Sequence, residues 1–284
     1  MFSKDSLSEL KELIHLEVLD LSENSFNGSI PLRGICEMKN MQELDLSQNK
    51  LFGHIPLCLT TSLSRLRFLD LSPNQLTGNI PYALGKLESL EYLSLFDDNF
   101  EGFCSLGSNN LFTRFQLPKS AHGLLLLDVS INKFSNVLPE NIGRMLPHLE
   151  YMKLANNSFQ ENLPSSLGNV KSVEYLDLSH NNFHGKLPRS FVMGCYSLAI
   201  LTLSHNKLSG EVFPESVNLT VITELSMDNN LFTGEIGQGV IPSWIGEVPI
   251  LTVLLLSNNM LEGNLKQYVG RNIQLLDLVN SMLT

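Results

Sequence analysis

A short phrase recurs along the chain at nearly constant spacing, and this period constrains the fold more than any other feature. The phrase is L-x-L-x-x-N, and most of its copies end 24 or 25 residues apart. Its last position is filled by Asn24, Asn49, Asn74, Asp98, Asn132, Asn157, Asn181, Asn206, Asn230 and Asn259, with Ser281 in a final copy. A fixed period of this length predicts a solenoid in which each repeat forms one coil that packs on its neighbours.

Each position of the repeat predicts a structural role. Leucines that alternate, such as Leu19 and Leu21, indicate a short strand with two inward side chains, so each coil should add one strand to a parallel sheet. The asparagine offers donors and acceptors, and we expect a stacked ladder that satisfies backbone groups. Two residues later a Phe or Leu, such as Phe26, should fill the back of the coil. A G-x-I-P turn, as at 28–31, then redirects the chain.

The phrase N-x-F/L-x-G-x-I/L-P followed by x-x-L-G resembles the plant-specific subclass of leucine-rich repeats, found in ectodomains of plant receptor-like proteins and receptor kinases. The resemblance spans nearly the whole chain, and segment 163–216 is similar to a clade of receptor-like proteins. It implies an α/β-type repeat solenoid, a leucine-rich-repeat superhelix with a concave parallel β-sheet and a mostly irregular or 3-10 convex side. We predict a single domain over 1–284 with about ten full or partial repeats.

The period fails at two places, and we predict irregular coils at 103–123 and 236–250. Asn110 takes a ladder position only 12 residues after Asp98, and 29 residues separate Asn230 from Asn259. We interpret both places as joints, and the chain as a shortened version of a longer ectodomain in which at least one strand was lost at the first joint. Neither the cysteine-containing caps of the family, nor a signal peptide, nor a membrane-spanning apolar run is recognisable.

Composition and motifs disfavour several classes of function. A net charge of −10 without a basic run argues against nucleic-acid binding. No nucleophile elbow, phosphate loop or H-E-x-x-H motif occurs, so we expect neither an enzyme nor a cofactor. The four cysteines, Cys36, Cys58, Cys104 and Cys195, form no C-x-x-C pair or zinc-like cluster, and we interpret them as isolated or buried thiols.

His180 and His205 occupy the same position of adjacent coils. A metal site or a pH-sensing pair is one interpretation. We favour solvated surface histidines, because no third ligand or orienting carboxylate shares that position.

Outward-facing strand residues predict the recognition surface. Aromatic residues on neighbouring coils are either interface anchors or cross-strand pairs. The candidate ligand-binding residues are Phe68, Tyr92, Phe96, Tyr151, Lys153, Tyr175, Asp177, His180, Thr202 and His205. Those from Tyr151 onward lie in the run of coils with an unbroken period, where we expect a peptide ligand.

Two further patterns remain open. An acidic column consists of Asp20, Asp45, Asp70, Asp128, Asp177 and Asp277. It either favours a ligand with positive groups or is a solvated part of the repeat phrase. The sequons at Asn27, Asn156 and Asn218 are candidate glycosylation sites, although an Asn-rich repeat produces such tripeptides by chance.

The leading function is a ligand-recognising ectodomain. The resemblance implies a plant cell-surface receptor-like protein without a kinase, on the extracellular side of the plasma membrane. Such a protein takes a peptide or protein ligand and signals through a partner receptor kinase in defence or development. The alternatives are a secreted inhibitor of microbial wall-degrading enzymes and a truncated fragment without function.

Overall fold

The computed structural model describes residues 10, 12–31, 34–81, 84, 87–101, 123–135, 137–211, 219–236, 248–263 and 272–283. The chain divides into two compact units, Met1–Asn136 and Val137–Thr284. Each unit is a stack of leucine-rich-repeat coils in which neighbouring strands run parallel. The predicted parallel-strand solenoid is therefore confirmed.

In its described part the first unit carries two parallel sheets. The strands are β1 (Val18–Asp20), β2 (Asn27–Gly28), β3 (Glu43–Asp45), β4 (Lys50–Gly53), β5 (Phe68–Asp70), β6 (Gln75–Gly78), β7 (Tyr92–Ser94), β8 (Asn99–Phe100) and β9 (Leu126–Asp128). The odd-numbered strands pair in chain order as the first face sheet. The even-numbered strands pair in chain order on the opposite side of the coils. A 3-10 helix (Ile35–Glu37) and α1 (Leu57–Ser62) connect the two sides.

The second unit repeats this arrangement. Its strands are β10 (Tyr151–Lys153), β11 (Gln160–Asn162), β12 (Tyr175–Asp177), β13 (Asn182–Gly185), β14 (Ile200–Thr202), β15 (Lys207–Glu211), β16 (Glu224–Ser226), β17 (Leu231–Ile236), β18 (Val253–Leu255), β19 (Met260–Gly263), β20 (Leu275–Asp277) and β21 (Met282–Leu283). The even-numbered strands form the second face sheet, and the odd-numbered strands form the sheet behind it. The helices are α2 (Ile142–Met145), a 3-10 helix (Ser165–Asn169) and α3 (Arg189–Gly194).

The sheet behind each face is more regular than the sequence predicts. After the ladder position the chain stays extended as far as the turn glycine, and the near-constant period brings these segments into register. Gly53 and Gly78 end β4 and β6 with φ of 85° and 81°, values that residues other than glycine rarely adopt. The back of each coil is therefore strand as well as 3-10 helix and short α-helix.

The core includes the two inward columns that the sequence predicts, together with apolar residues of the connecting segments such as Met38, Leu59 and Leu66. The central leucines of the face strands, such as Leu44, Leu69 and Leu176, are buried. Behind them the aromatic column stacks, and the ring centroids of Phe159 and Phe183 lie 6.1 Å apart. Because each coil packs on its neighbours through these columns, the loss of one leucine side chain should destabilise two coils.

The asparagine ladder repeats one hydrogen-bond pattern in most of the described coils. In the second unit, Asn181 Oδ1 accepts a bond from the backbone N–H of Phe159 at 3.0 Å, and its Nδ2 donates to the carbonyl oxygens of Leu154, Leu178 and Ser179 at 3.0 to 3.2 Å. The amide therefore joins two adjacent coils and satisfies carbonyl groups that would otherwise be buried without donors.

Asp98 departs from this ladder in the first unit. Its Oδ1 accepts the N–H of Leu76 at 2.8 Å, as an asparagine would. Its Oδ2 is buried and has no hydrogen-bond partner, and the residue is only 7% exposed. Burial raises the pKa of Asp98 to about 8.

The two predicted irregular segments lie almost wholly outside the described residues, as does Asn110. The flanking strands are described. Tyr92 of β7 pairs with Leu126 of β9, and Glu224 of β16 pairs with Val253 of β18. Each face sheet therefore passes directly from one of these flanking strands to the other.

The interpretation of the cysteines as isolated thiols is wrong for one pair. Cys36 and Cys58 form a disulfide with their Cα atoms 5.6 Å apart. They lie in the 3-10 helix and in α1, which occupy adjacent coils, so a separation of 22 residues in sequence becomes direct proximity. Cys195 is a free and buried thiol as predicted, and burial raises its pKa to about 12. Cys104 lies outside the described residues.

Candidate ligand-binding surfaces

An aromatic pair lies on the first face sheet. Phe68 of β5 and Tyr92 of β7 are in register, and their rings stack with centroids 4.3 Å apart and planes inclined by 16°. The Tyr92 hydroxyl donates to Asp70 Oδ2 at 3.3 Å. Burial, followed by the charge of Asp70, raises the pKa of Tyr92 to about 12, so the hydroxyl remains a donor. Phe96 is half-buried beyond the end of β7.

The acidic column has a local structural role that the sequence analysis did not assign. In the first unit Oδ1 of Asp20, Asp45, Asp70 and Asp128 accepts the N–H of the residue two positions later, at 2.8 to 3.0 Å. Asp177 and Asp277 make the same bond in the second unit, at 3.0 and 3.1 Å. Each aspartate thus stabilises the turn at the end of its face strand, as Asx turns do.

The candidate residues of the second unit come together on three neighbouring strands. Tyr151 of β10 and Tyr175 of β12 are in register, with ring centroids 6.5 Å apart. The Lys153 Nζ atom lies 5.7 Å from the centroid of the Tyr175 ring, within cation–π range. Asp177 pairs with Lys153 on one side and with Thr202 of β14 on the other. We call Tyr151, Lys153, Tyr175, Asp177 and Thr202 the tyrosine patch.

His180 and His205 lie beside this patch, after β12 and β14. Both are exposed, and their rings stack with centroids 4.1 Å apart. No carboxylate shares the repeat position of the histidines, but Asp228, at a different position of the next coil, places its Oδ2 3.8 Å from His205 Nε2. Asp228 was missed because the neighbouring repeats have serine at its position, including Ser204, whose Oγ donates to Asp228 Oδ1 at 2.5 Å. In the sequence, the phrase LSMDNN shows this replacement of serine by aspartate.

The histidines begin a row of polar side chains that the sequence analysis also missed. The residue before each ladder position has a left-handed φ near 50° in most coils, which turns its side chain outward. In the second unit this row continues from His205 to Asn229, Asn258 and Asn280, with side-chain contacts of 3.3, 3.0 and 2.7 Å. The row gives the edge of the second face sheet a continuous series of donors and acceptors.

The remaining interpretations from the sequence concern a metal site, glycosylation and a membrane span. Within the described part of the chain, no three His, Cys, Asp or Glu side chains are grouped to hold a metal ion. Asn27 and Asn156 are exposed, whereas Asn218 lies outside the described residues. Over those same stretches of chain, no helix combines the length and the apolar character that a bilayer span requires.

The chain is similar to known repeat proteins in sequence. A family model described as Leucine Rich Repeat matches residues 15–34, 40–62, 65–87, 148–170 and 172–192. Receptor-like protein 15 of Arabidopsis thaliana is 71% identical over 132 residues, which are 46% of this chain and 14% of that protein. The chain thus spans a small part of this relative.

Solved structures share the fold. The crystal structure of PEPR1-AtPEP1 superposes with a TM-score of 0.82 at 29% identity, over 96% of this chain and 36% of that chain. The plant peptide hormone receptor RGFR1 in complex with RGF2 superposes with a TM-score of 0.79 at 26% identity, over 97% of this chain and 45% of that chain.

Proposed function

Because the chain belongs to the plant leucine-rich-repeat receptor-like proteins, we propose that it is part of a ligand-binding ectodomain that recognises a peptide or protein through its face sheets. It acts on the extracellular side of the plasma membrane, binds rather than catalyses, and signals with a partner receptor kinase. The support is twofold. Its relatives are receptor-like proteins, and a receptor of the same fold is a peptide hormone receptor in complex with RGF2.

The tyrosine patch is the observation that carries this proposal for the second unit. Two tyrosines in register present ring surface, while Lys153 and Asp177 supply one charge of each sign beside them. Tyrosines anchor interfaces because they bury a large area at a small cost in side-chain entropy, and neighbouring polar groups fix the register of an extended peptide.

The test is to replace both tyrosines together. The probes are extended peptides selected from a random display library for binding to the secreted chain. They should bind the Tyr151→Ala/Tyr175→Ala variant at least about 30-fold more weakly, which corresponds to a loss of about 2 kcal/mol in binding free energy at interface anchors. Isothermal titration calorimetry measures the loss. The variant should keep most of its stability, because Tyr151 is exposed and Tyr175 is half-buried. Leu176→Ala, which removes a buried contact, should instead cost about 2–5 kcal/mol.

The matched control removes an exposed tyrosine elsewhere in the same unit. Tyr196 follows α3 and is exposed, as is Met193 within that helix. The variant Tyr196→Ala/Met193→Ala loses similar exposed area away from the face strands and should bind the selected peptides normally. Equal affinity of the wild-type chain and the tyrosine variant for every selected peptide would place the site elsewhere.

We further propose that Asn27 and Asn156 carry N-linked glycans in the secreted protein. Both asparagines are exposed, and Ser29 and Ser158 at the third positions of their sequons are exposed too. In chain secreted from plant cells, N-glycosidase should therefore remove one mass increment for Asn27 and one for Asn156, and Asn27→Gln and Asn156→Gln should each abolish one increment in intact-mass spectra. Unmodified peptides spanning both positions would contradict this expectation.

A further inference from the structure

The first face sheet is strongly acidic. The outward residues of its strands and the residue before each strand include the carboxylates Glu17, Asp20, Glu43, Asp45, Asp70, Glu91 and Asp128. At these positions, all of which are described, Arg67 is the one cation. Its guanidinium is already bonded twice to Glu91, through Nε at 3.0 Å and Nη2 at 2.9 Å. At these positions the seven carboxylates therefore outnumber the single cation, and the surface carries a large excess of negative charge.

The register of the sheet concentrates this charge. Asp20, Asp45 and Asp70 are directly opposite one another on β1, β3 and β5, and strands lie about 4.8 Å apart. Like charges placed directly opposite repel. The Oδ1 atom of each aspartate already accepts a backbone N–H, and Oδ2 of Asp70 accepts the Tyr92 hydroxyl. A positive group supplied from outside would therefore relieve the repulsion chiefly at Oδ2 of Asp20 and Asp45.

An aromatic ring adjoins the same carboxylates. Phe68 lies in register between Glu43 and Tyr92, and it is half-buried. Because Tyr92 stacks on one side of the Phe68 ring, the other side faces the strand of Glu43. A cation on that side would contact the ring face and lie beside Glu43 and Asp45, with Asp70 two residues along the strand from Phe68. We call Glu43, Asp45, Phe68 and Asp70 the acidic aromatic surface.

We propose that the acidic aromatic surface docks an extended basic peptide segment, with one Lys or Arg side chain on the side of the Phe68 ring opposite Tyr92 and further basic side chains along the aspartate column. This inference rests on the proposed function only in that the occupant is a peptide. Charge complementarity selects the occupant, and it disfavours a second copy of this chain, whose net charge is −10.

The experiment uses the full 284-residue chain and the acetylated, amidated peptide (Lys-Ala)₄ as the probe. The variant Glu43→Gln/Asp45→Asn removes two charges while Asn at position 45 keeps an acceptor for the N–H of Ser47. At 150 mM salt it should bind the probe about tenfold more weakly, and Phe68→Leu about threefold more weakly, in fluorescence anisotropy. The control Glu150→Gln/Glu174→Gln removes the same charge from the second unit and should change affinity less than about twofold.

Several outcomes would overturn the inference. One is a wild-type chain that does not bind the probe, and another is a Phe68→Leu variant that binds it normally. A third is an equal loss of affinity in both charge variants, which would show that only the net charge of the chain matters. The Tyr151→Ala/Tyr175→Ala variant should keep its affinity for (Lys-Ala)₄, and loss of binding there would move the basic segment to the second unit. If the probe fails while that variant still loses the library-selected peptides, the inference falls and the proposed function stands. Thermal unfolding verifies that each variant is folded.

Discussion

Replacing Asp98 by Asn should stabilise the chain at pH 7 by about 2–4 kcal/mol in the free energy of unfolding. The substitution restores the ladder residue. The amide would keep the bond from the N–H of Leu76 to Oδ1 and would put a donor where the buried Oδ2 now lacks a partner. In the adjacent coil Asn74 makes these bonds, with Nδ2 donating to the carbonyl oxygens of Leu46 and Leu71.

The gain should depend on pH in a defined direction. Burial raises the pKa of Asp98 to about 8, above the 3.8 of an ordinary aspartate. The folded protein therefore holds a proton there that the unfolded chain releases, and this contribution to stability is fully present below pH 3.8 and is lost as the pH rises to about 8. The advantage of Asp98→Asn should accordingly be smallest near pH 4, grow up to pH 8, and stay level above it.

Urea unfolding followed by circular dichroism at pH 4, 6 and 8 measures this dependence. The control is Asp97→Asn, which removes the same charge from the exposed adjacent residue and should change the unfolding free energy by less than about 0.5 kcal/mol. An Asp98→Asn variant that is no more stable than wild type at pH 8, or whose advantage does not change with pH, would show that the carboxyl is not held protonated.

The sequence predicts the parts of the fold that are determined within a single repeat. The ladder position, the inward leucines and the aromatic column follow from residue type and period, so Asn181, Leu176 and Phe183 lie where the pattern places them. The Cys36–Cys58 bond was not predictable in this way, because it depends on where two short helices lie in adjacent coils. The period sets the distance between coils but does not specify the conformation of the segment behind them.

The candidate sites also have parts that the sequence predicts and parts that it does not. That Tyr151 and Tyr175 are neighbours follows from the period, since both hold the first position of their strands. The contact of Asp228 with His205 does not follow, because Asp228 stands two positions before its ladder residue in a different coil and only the side-chain geometry brings it within 3.8 Å. Asp98 was visible in the sequence as an exception, but its missing hydrogen-bond partner required the structure.

The converse substitution, Asn181→Asp, should destabilise the second unit by about 3 kcal/mol or more at pH 8. Asn181 is buried, and its Nδ2 donates to three carbonyl oxygens. An ionised carboxylate would keep the bond from the N–H of Phe159 but would turn a negative oxygen toward those carbonyls. Since its two neighbouring coils pack through this position, the loss should reduce the stability of the whole stack rather than of one turn.

The cost of Asn181→Asp should fall as the pH is lowered, because a protonated carboxyl can again donate one bond to a carbonyl oxygen. Urea unfolding at pH 5 and pH 8 measures the difference, and Asn162→Asp, at an exposed position of β11 in the same unit, is the matched control. If Asn181→Asp were as stable as the control at pH 8, the ladder amides would contribute little. The unpartnered oxygen of Asp98 would then carry little cost as well, so the two substitutions test one physical account from opposite directions.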